Sequence, residues 1–251
     1  MFNPKTQTEN IIEFIRKYFK DNNLGGVVLG ISGGKDSGVV AGLFTLALGK
    51  ENVVGLTLPC HSNSTDMKDA QTVSDKFGFE LLNVDLTEVN DIFQRELKKA
   101  AKGENETLYK DADINIKPRL RMSSCYYMAQ ALSTIRKKTY IVAGTSNACE
   151  LYVGYFTKGG DSVHDISVLA DLTVDEVIAI GEYIGVPDEV IHKAPSDGLS
   201  GMSDEEKLGV KYADIAKVIN KELTSGEEYE KIEKLHARAA HKFFIPTYRK
   251  K

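Results

Sequence analysis

The sequence predicts an α/β protein, a parallel sheet with helices on both faces. Three observations carry that expectation. The short apolar runs Gly26 to Ile31, Asn52 to Leu58, Phe79 to Asp85 and Thr139 to Ala143 have the length and composition of buried strands. Segments with apolar residues at helical spacing lie between them. The first run passes through the tight loop Gly30-Ile31-Ser32-Gly33-Gly34-Lys35-Asp36-Ser37 straight into a helical stretch, Gly38 to Leu48. Alternation of this kind gives parallel strands, with ligands bound outside the strands' carboxyl ends.

The elements follow in order. Thr8 to Lys20 sets Ile11, Ile12, Ile15, Tyr18 and Phe19 among charged residues and predicts a first helix, packed on the core or on a partner. Asp21 to Gly25 is a turn before the first strand. The second strand is closed by Pro59, and Ser64 to Phe77 is a helix stopped by Gly78. The third strand leads to a helix over Thr87 to Ala101. Lys102 to Asn115 is polar and without periodicity, which predicts a mobile surface loop. Lys117 to Lys137 reads as a helix with Pro118 in its first turn, where a missing N–H costs nothing. After the fourth strand come a short helix over Asn147 to Phe156 and a glycine-containing loop over Thr157 to Asp165. Thr173 and Glu176 have capping-box spacing and start a helix that ends near Ile184, before Gly185 and Pro187. Ala194 to Met202 is a loop; a helix from Ser203 to about Asn220 and another over Glu227 to Lys242 complete the chain.

Bulk properties exclude several classes. The 251 residues are 42% hydrophobic and 27% charged, enough for a sizeable core. A net charge of −4 argues against broad nucleic-acid binding. Cys60, Cys125 and Cys149 are far apart and odd in number, so neither a disulfide framework nor a structural zinc site is expected, and a reducing cytoplasm fits. No apolar run reaches membrane-spanning length, and Met1 to Asn10 has no signal-peptide core.

The loop at 30–37 has the makings of a phosphate cradle. Its glycines let backbone N–H groups approach an anion, and the positive end of a helix dipole faces it. It is not a Walker A loop, because Lys35 is followed by Asp36 rather than by a Ser or Thr. Taken alone, Asp36 reads equally as a helix cap or a metal ligand, and Glu150 equally as a first-turn charge or a metal ligand.

Ser-Gly-Gly-x-Asp-Ser at 32–37 resembles the pyrophosphate loop of enzymes that split ATP into AMP and pyrophosphate. With Gly144-Thr145-Ser146-Asn147-Ala148-Cys149-Glu150-Leu151 the chain resembles the NAD synthetase family. The blocks Lys117-Pro118-Arg119-Leu120-Arg121-Met122, Val153 to Lys158, Gly160-Asp161 with Asp165-Ile166, Ala194-Pro195-Ser196 and His241-Lys242 follow in the family's order. The resemblance runs from about residue 10 to 242, which implies one domain over 1–251 with an adenine nucleotide α-hydrolase-like, Rossmann-like fold.

The resemblance implies ATP-dependent amidation of nicotinic acid adenine dinucleotide (deamido-NAD) by ammonia, with Mg²⁺ and a homodimer. It assigns Gly30, Ile31, Ser32, Gly33, Gly34, Lys35, Asp36, Ser37, Thr145 and Ser196 to ATP. Arg119, Lys158, Asp165, His241 and Lys242 go to the dinucleotide, and Asp36 and Glu150 to the metal; Asp36, Glu150 and Lys158 are its catalytic set. Lys35 holds the variable position of the loop motif, where a solvated lysine is as good a reading. Arg121, two residues along the helix from Arg119, faces elsewhere and ranks lower. The family often has a lysine where this chain has Val174, a contact that Lys193 or Lys35 could supply. The helices at 8–20 and 118–137 are the expected dimer contacts. The segments 102–115 and 196–203 are expected lids. Two alternatives remain: adenylation of a tRNA base, for which the chain lacks a basic extension or paired cysteines, and a nucleotide-binding module without chemistry.

Overall fold

The computed structural model describes residues 2–61, 64–103, 105–193 and 204–250. Five parallel strands form one sheet in the order β3-β2-β1-β4-β5: β1 Gly26–Gly30, β2 Val53–Thr57, β3 Glu80–Asn83, β4 Tyr140–Gly144 and β5 Ile166–Ser167. The α/β architecture expected from the alternation is the one observed. Chain order reverses between β1 and β4, which pair directly with Val27 opposite Ile141. Loops leaving β1 and β4 therefore diverge from a shared crevice.

Side-chain alternation along the strands feeds two cores. Val27 and Leu29 pack with α1 (Pro4–Asp21), α2 (Lys35–Leu48) and α7 (Val174–Ile184). Val28, Val54, Leu56 and Val142 pack on the other face with α5 (Lys110–Arg136) through Cys125, Ala129 and Leu132. The helix α2 lies between sheet and α7, and ten of its residues are buried; an apolar sequence on all sides is what such a position requires. A third cluster joins α6 (Ala148–Val153), α10 (Tyr212–Ile219) and α11 (Glu227–Phe243). The remaining helices are α3 (Ser64–Phe77), α4 (Thr87–Ala101), α8 (Asp188–Ile191) and α9 (Asp204–Leu208).

Local signals behave as expected at several ends. Asn3 caps α1, its Oδ1 accepting from Thr6 N at 3.0 Å, and Pro4 opens the helix. Glu176 Oε2 accepts from Thr173 N at 2.8 Å, the capping box read from the sequence, and Gly185 ends α7 with φ of 80°.

Three expectations are corrected. The segment 102–115 is not a loop throughout: a 3-10 turn over Glu106–Tyr109 runs into α5, which starts at Lys110. Acidic Asp111 and Asp113 favour that start, and Asp113 pairs with Lys98 of α4 at 2.9 Å. Pro118 thus lies inside α5 rather than in its first turn. The helix expected up to Asn220 is two helices, α9 and α10, parted at Gly209 with φ of 69°. The apolar stripe of α1 is spent within the chain: Ile15 is fully buried, and Phe19 meets Phe44 of α2 edge to face at 6.1 Å. Helix α1 thus packs on the core, one of the two placements expected of it. The expected loop over 194–202 and expected lid over 196–203 lie outside the described residues.

Phe44 is fully buried in the core and does not line the crevice at the strand ends. Phe44→Ala should cost about 3–5 kcal/mol in a urea titration; a loss below about 1 kcal/mol would mean that the α1–α2 layer is not closely packed.

Candidate active site

At the carboxyl end of β1 the chain turns through a loop that is braced from within. Ser37 Oγ donates to Gly34 O at 3.0 Å and accepts from Ser32 N at 3.2 Å, and Gly34 N donates to Ser32 Oγ at 3.2 Å. Gly33 has φ of 77°, and a Cβ there would lie 2.4 Å from the Asp66 carbonyl oxygen. Glycine is therefore required both by backbone conformation and by the approach of α3. Gly30, Ile31, Ser32, Gly34, Lys35 and Asp36 line a cavity of about 400 Å³ outside the strand ends. Ser37 is buried behind the loop as a brace, and Gly33 likewise does not line the cavity.

The loop after β4 forms the facing wall, with Gly144, Thr145 and Glu150 on the same cavity. The strand adjacency thus brings the two loops together. Asn147 joins them. It is fully buried and caps α6, its Oδ1 accepting from Cys149 N at 3.0 Å and Glu150 N at 3.1 Å. Glu150 Oε2 accepts in return from Asn147 N at 3.1 Å, a capping box. The remaining donor, Asn147 Nδ2, reaches Asp36 Oδ1 at 3.1 Å. One residue therefore orients both carboxylates, Asp36 through its side-chain amide and Glu150 through its backbone N–H. Burial, and then the charge of Asp36, raise the Glu150 carboxyl well above the usual carboxylate range. Two acidic groups forced together in a cleft are a site poised for a cation. Asn147 was not singled out from the sequence, although Asn147-x-x-Glu150 has the spacing used to find the cap of α7.

Three cationic side chains reach the cavity. Lys35 is buried and sits 3.1 Å from Asp36 Oδ2. Lys193 pairs with Asp66 at 2.8 Å and Asp69 at 2.5 Å, tying the segment after α8 to the start of α3. Arg121 is half-buried on α5, and its Nε donates to Leu58 O at the end of β2 at 3.1 Å. Its neighbour by two, Arg119, is exposed and outside the cavity. The two arginines do face apart, and it is Arg121 that faces the cleft. Asp161, raised by burial, and Asp204 add acidic groups to the walls.

The residues assigned to the dinucleotide do not line this cavity. Arg119 Nη2 donates to Lys158 O at 3.2 Å, and Lys158 Nζ to His241 O at 2.6 Å. Lys242 Nζ donates to Gly154 O at 2.7 Å and Phe156 O at 2.6 Å. This chain of contacts links α5, the loop after α6 and the end of α11. Asp165 lies on a separate groove between α5 and β4, its carboxylate accepting from Tyr126 OH at 3.0 Å and Val142 N at 2.8 Å. Burial and Asp165 together push the Tyr126 hydroxyl up to about 12. Ser196 lies outside the described residues.

The carboxylate set fits Mg²⁺ in one particular way. Among the described residues no group of three His, Cys, Asp or Glu could enclose a metal ion. Two hard carboxylates facing a phosphate loop are instead the partial set that Mg²⁺ takes when phosphate oxygens and water complete its octahedron. Thiol chemistry does not fit: all three cysteines are buried, and burial pushes Cys125 up to about 12 and Cys149 up to about 11.

Comparison with known proteins shows the family. The family model described as NAD synthase matches residues 7–246. The chain is 37% identical over 245 residues to an NH(3)-dependent NAD(+) synthetase of Carboxydothermus hydrogenoformans, covering 97% of each. A solved structure of NMN synthetase from Francisella tularensis superposes with TM-score 0.87 at 31% identity, over 99% of both chains. The NH3-dependent NAD synthetase from Campylobacter jejuni, solved with nitrate, superposes with TM-score 0.76 at 28% identity, over 100% of both. With the family model matched over nearly the whole chain and a relative 37% identical over 97% of each sequence, this protein belongs to the NAD synthase family.

Proposed function

We propose that this protein amidates deamido-NAD with ammonia, cleaving ATP to AMP and pyrophosphate. The observation that carries the reading is the Asp36–Glu150 pair, bridged by Asn147 beside a phosphate loop. Such a pair suits a metal-bound polyphosphate and has no use in a passive nucleotide-binding module. In the first step a carboxylate oxygen of the acceptor attacks the α-phosphorus of ATP and pyrophosphate leaves. In the second, the nitrogen of ammonia attacks the acyl carbon, AMP leaves with the carboxylate oxygen, and a proton is released. No enzyme nucleophile is needed, in keeping with the buried thiols. Catalysis then rests on alignment and charge.

Asp36 and Glu150 would hold Mg²⁺, which when bound neutralises charge on the polyphosphate. The first-turn N–H groups of α2, which no side chain caps, and the Thr145 hydroxyl would orient the phosphates of ATP, and Arg121 adds a cation to the same cleft. Arg119, Lys158, Asp165, His241, Lys242 and Ser196 keep their proposed substrate roles, Asp165 on its own groove beside Tyr126. Residues 1–251 act as one unit in this reading, in the cytoplasm, without nucleic acid; no described helix is long and apolar enough to cross a membrane.

A second reading of the acceptor has one observation in its favour, the TM-score of 0.87 to an NMN synthetase. The acceptor would then be the mononucleotide acid, with the chemistry unchanged.

The proposed homodimer has a face available. Val89, Phe93 and Leu97 project from successive turns of α4 and are 49%, 42% and 54% exposed. Leu108, in the 3-10 turn that follows α4, is 71% exposed as well.

Three outcomes follow. Pyrophosphate release from ATP should depend on deamido-NAD and be drawn on by ammonia; release that is independent of any acceptor would exclude the reading, and faster turnover with the mononucleotide acid would select the second one. Asp36→Asn and Glu150→Gln should each lower kcat about a hundredfold or more, as expected when several kcal/mol of metal stabilisation are lost; kcat within threefold of the parent would remove the pair from the mechanism. Phe93→Lys with Leu97→Lys should shift the protein to monomer in analytical ultracentrifugation, whereas an unchanged dimer would put the interface elsewhere.

A further inference from the structure

Among the cations of the cleft, Lys35 and Lys193 have contrasting surroundings. Lys193 Nζ spans two carboxylates, Asp66 and Asp69, on one helix. Its charge is committed to joining α8's end to α3, the helix whose Asp66 carbonyl abuts Gly33. Lys35 is different. It is 7% exposed and the sole lysine among the described buried residues. It occupies the first position of α2, at the positive end of a 14-residue helix, and lines the cavity with Asp36 and Ser32. Among the described residues its ion-pair partner is Asp36, at 3.1 Å. An ammonium carries three donors, so one contact to one carboxylate leaves most of its donor capacity for an anion in the cavity.

Nothing about packing calls for a lysine at this position. Burying an ammonium is costly unless it is paired, and the solvated-lysine reading fails because the side chain is enclosed. Asp36 is at the same time held by Asn147 and faces Glu150. The ammonium therefore stands where two acidic groups and an incoming polyphosphate meet.

We propose that Lys35 is the cation that binds the departing pyrophosphate: it neutralises Asp36 until a metal-bound polyphosphate arrives, then turns its donors to the β- and γ-phosphate oxygens. Lys193 is the clamp that holds α3 against the loop. The proposal rests on the ATP-cleaving reading above and assigns the phosphate-facing charge within it.

The test is isothermal titration of magnesium pyrophosphate into the wild type and the variants Lys35→Gln, Lys35→Met, Lys35→Arg and Lys193→Gln, with folding checked by thermal melting. Loss of one charge-assisted contact predicts about tenfold or more weaker pyrophosphate binding for Lys35→Gln and Lys35→Met. Lys35→Arg should recover most of it, and Lys193→Gln should lower the melting temperature more than the affinity. In steady state, Lys35→Gln should lower kcat with the KM for the acceptor unchanged. Binding within threefold of the parent for both neutral Lys35 variants, or the large loss in Lys193→Gln instead, would overturn the assignment. Pyrophosphate binding needs no acceptor, so a failure here is distinct from failure of the wild type to amidate deamido-NAD.

Discussion

The Asn147 side chain is the hinge of this molecule's chemistry. With one oxygen it starts α6, and with one nitrogen it holds Asp36 across the crevice. Glu150 returns the favour to the Asn147 backbone. Two carboxylates, in the first turns of α2 and α6, are thereby fixed toward one another by contacts that span 111 residues from Asp36 to Asn147. That arrangement is unfavourable by itself, as the raised proton affinity of Glu150 records. A fold tolerates such a cost where a ligand removes it. The rest of the architecture supplies the conditions. Direct pairing of β1 with β4 brings the loops together, and the two cores keep the strands in register.

Around this pair the charges are graded. Positive groups at Lys35, Arg121 and Lys193 alternate with Asp66, Asp161 and Asp204 on the cavity walls. A polyphosphate in such a cleft would meet a helix terminus and cations already in place. None of these needs to reorganise far, which is the condition under which electrostatic stabilisation is strongest. The residues proposed for the acceptor stand apart, on the Arg119–Lys158–His241 chain of contacts and on the Asp165 groove. Two spatially distinct regions suit a reaction that joins two large substrates only at a carboxylate and a phosphorus.

Much of this was legible in the residues. The apolar runs marked four of the five strands, because buried parallel strands read as continuous apolar segments. The fifth, Ile166–Ser167, is two residues long and leaves no pattern. The start of α5 is hard to read because its first turn, Lys110 to Asp113, is charged and is held by Asp113–Lys98 and by dipole-favourable acids rather than by an apolar stripe. The loop at 30–37 and Glu150 were visible from motif and spacing. Lys35 was ambiguous, since burial is a property of the neighbours and not of the residue. Arg119 and Arg121 could be set on different faces, but which face looks into the cleft depends on how α5 is rotated against β2, and only Leu58 O reveals that.

The account stands or falls on attack by the acceptor carboxylate at the α-phosphorus of ATP. Deamido-NAD labelled with ¹⁸O in its nicotinate carboxylate, turned over with ammonia and ATP, tests this in one mass spectrum. The proposed chemistry sends one labelled oxygen into AMP for every amide formed. Unlabelled AMP, or cleavage of ATP to ADP and phosphate, would contradict it.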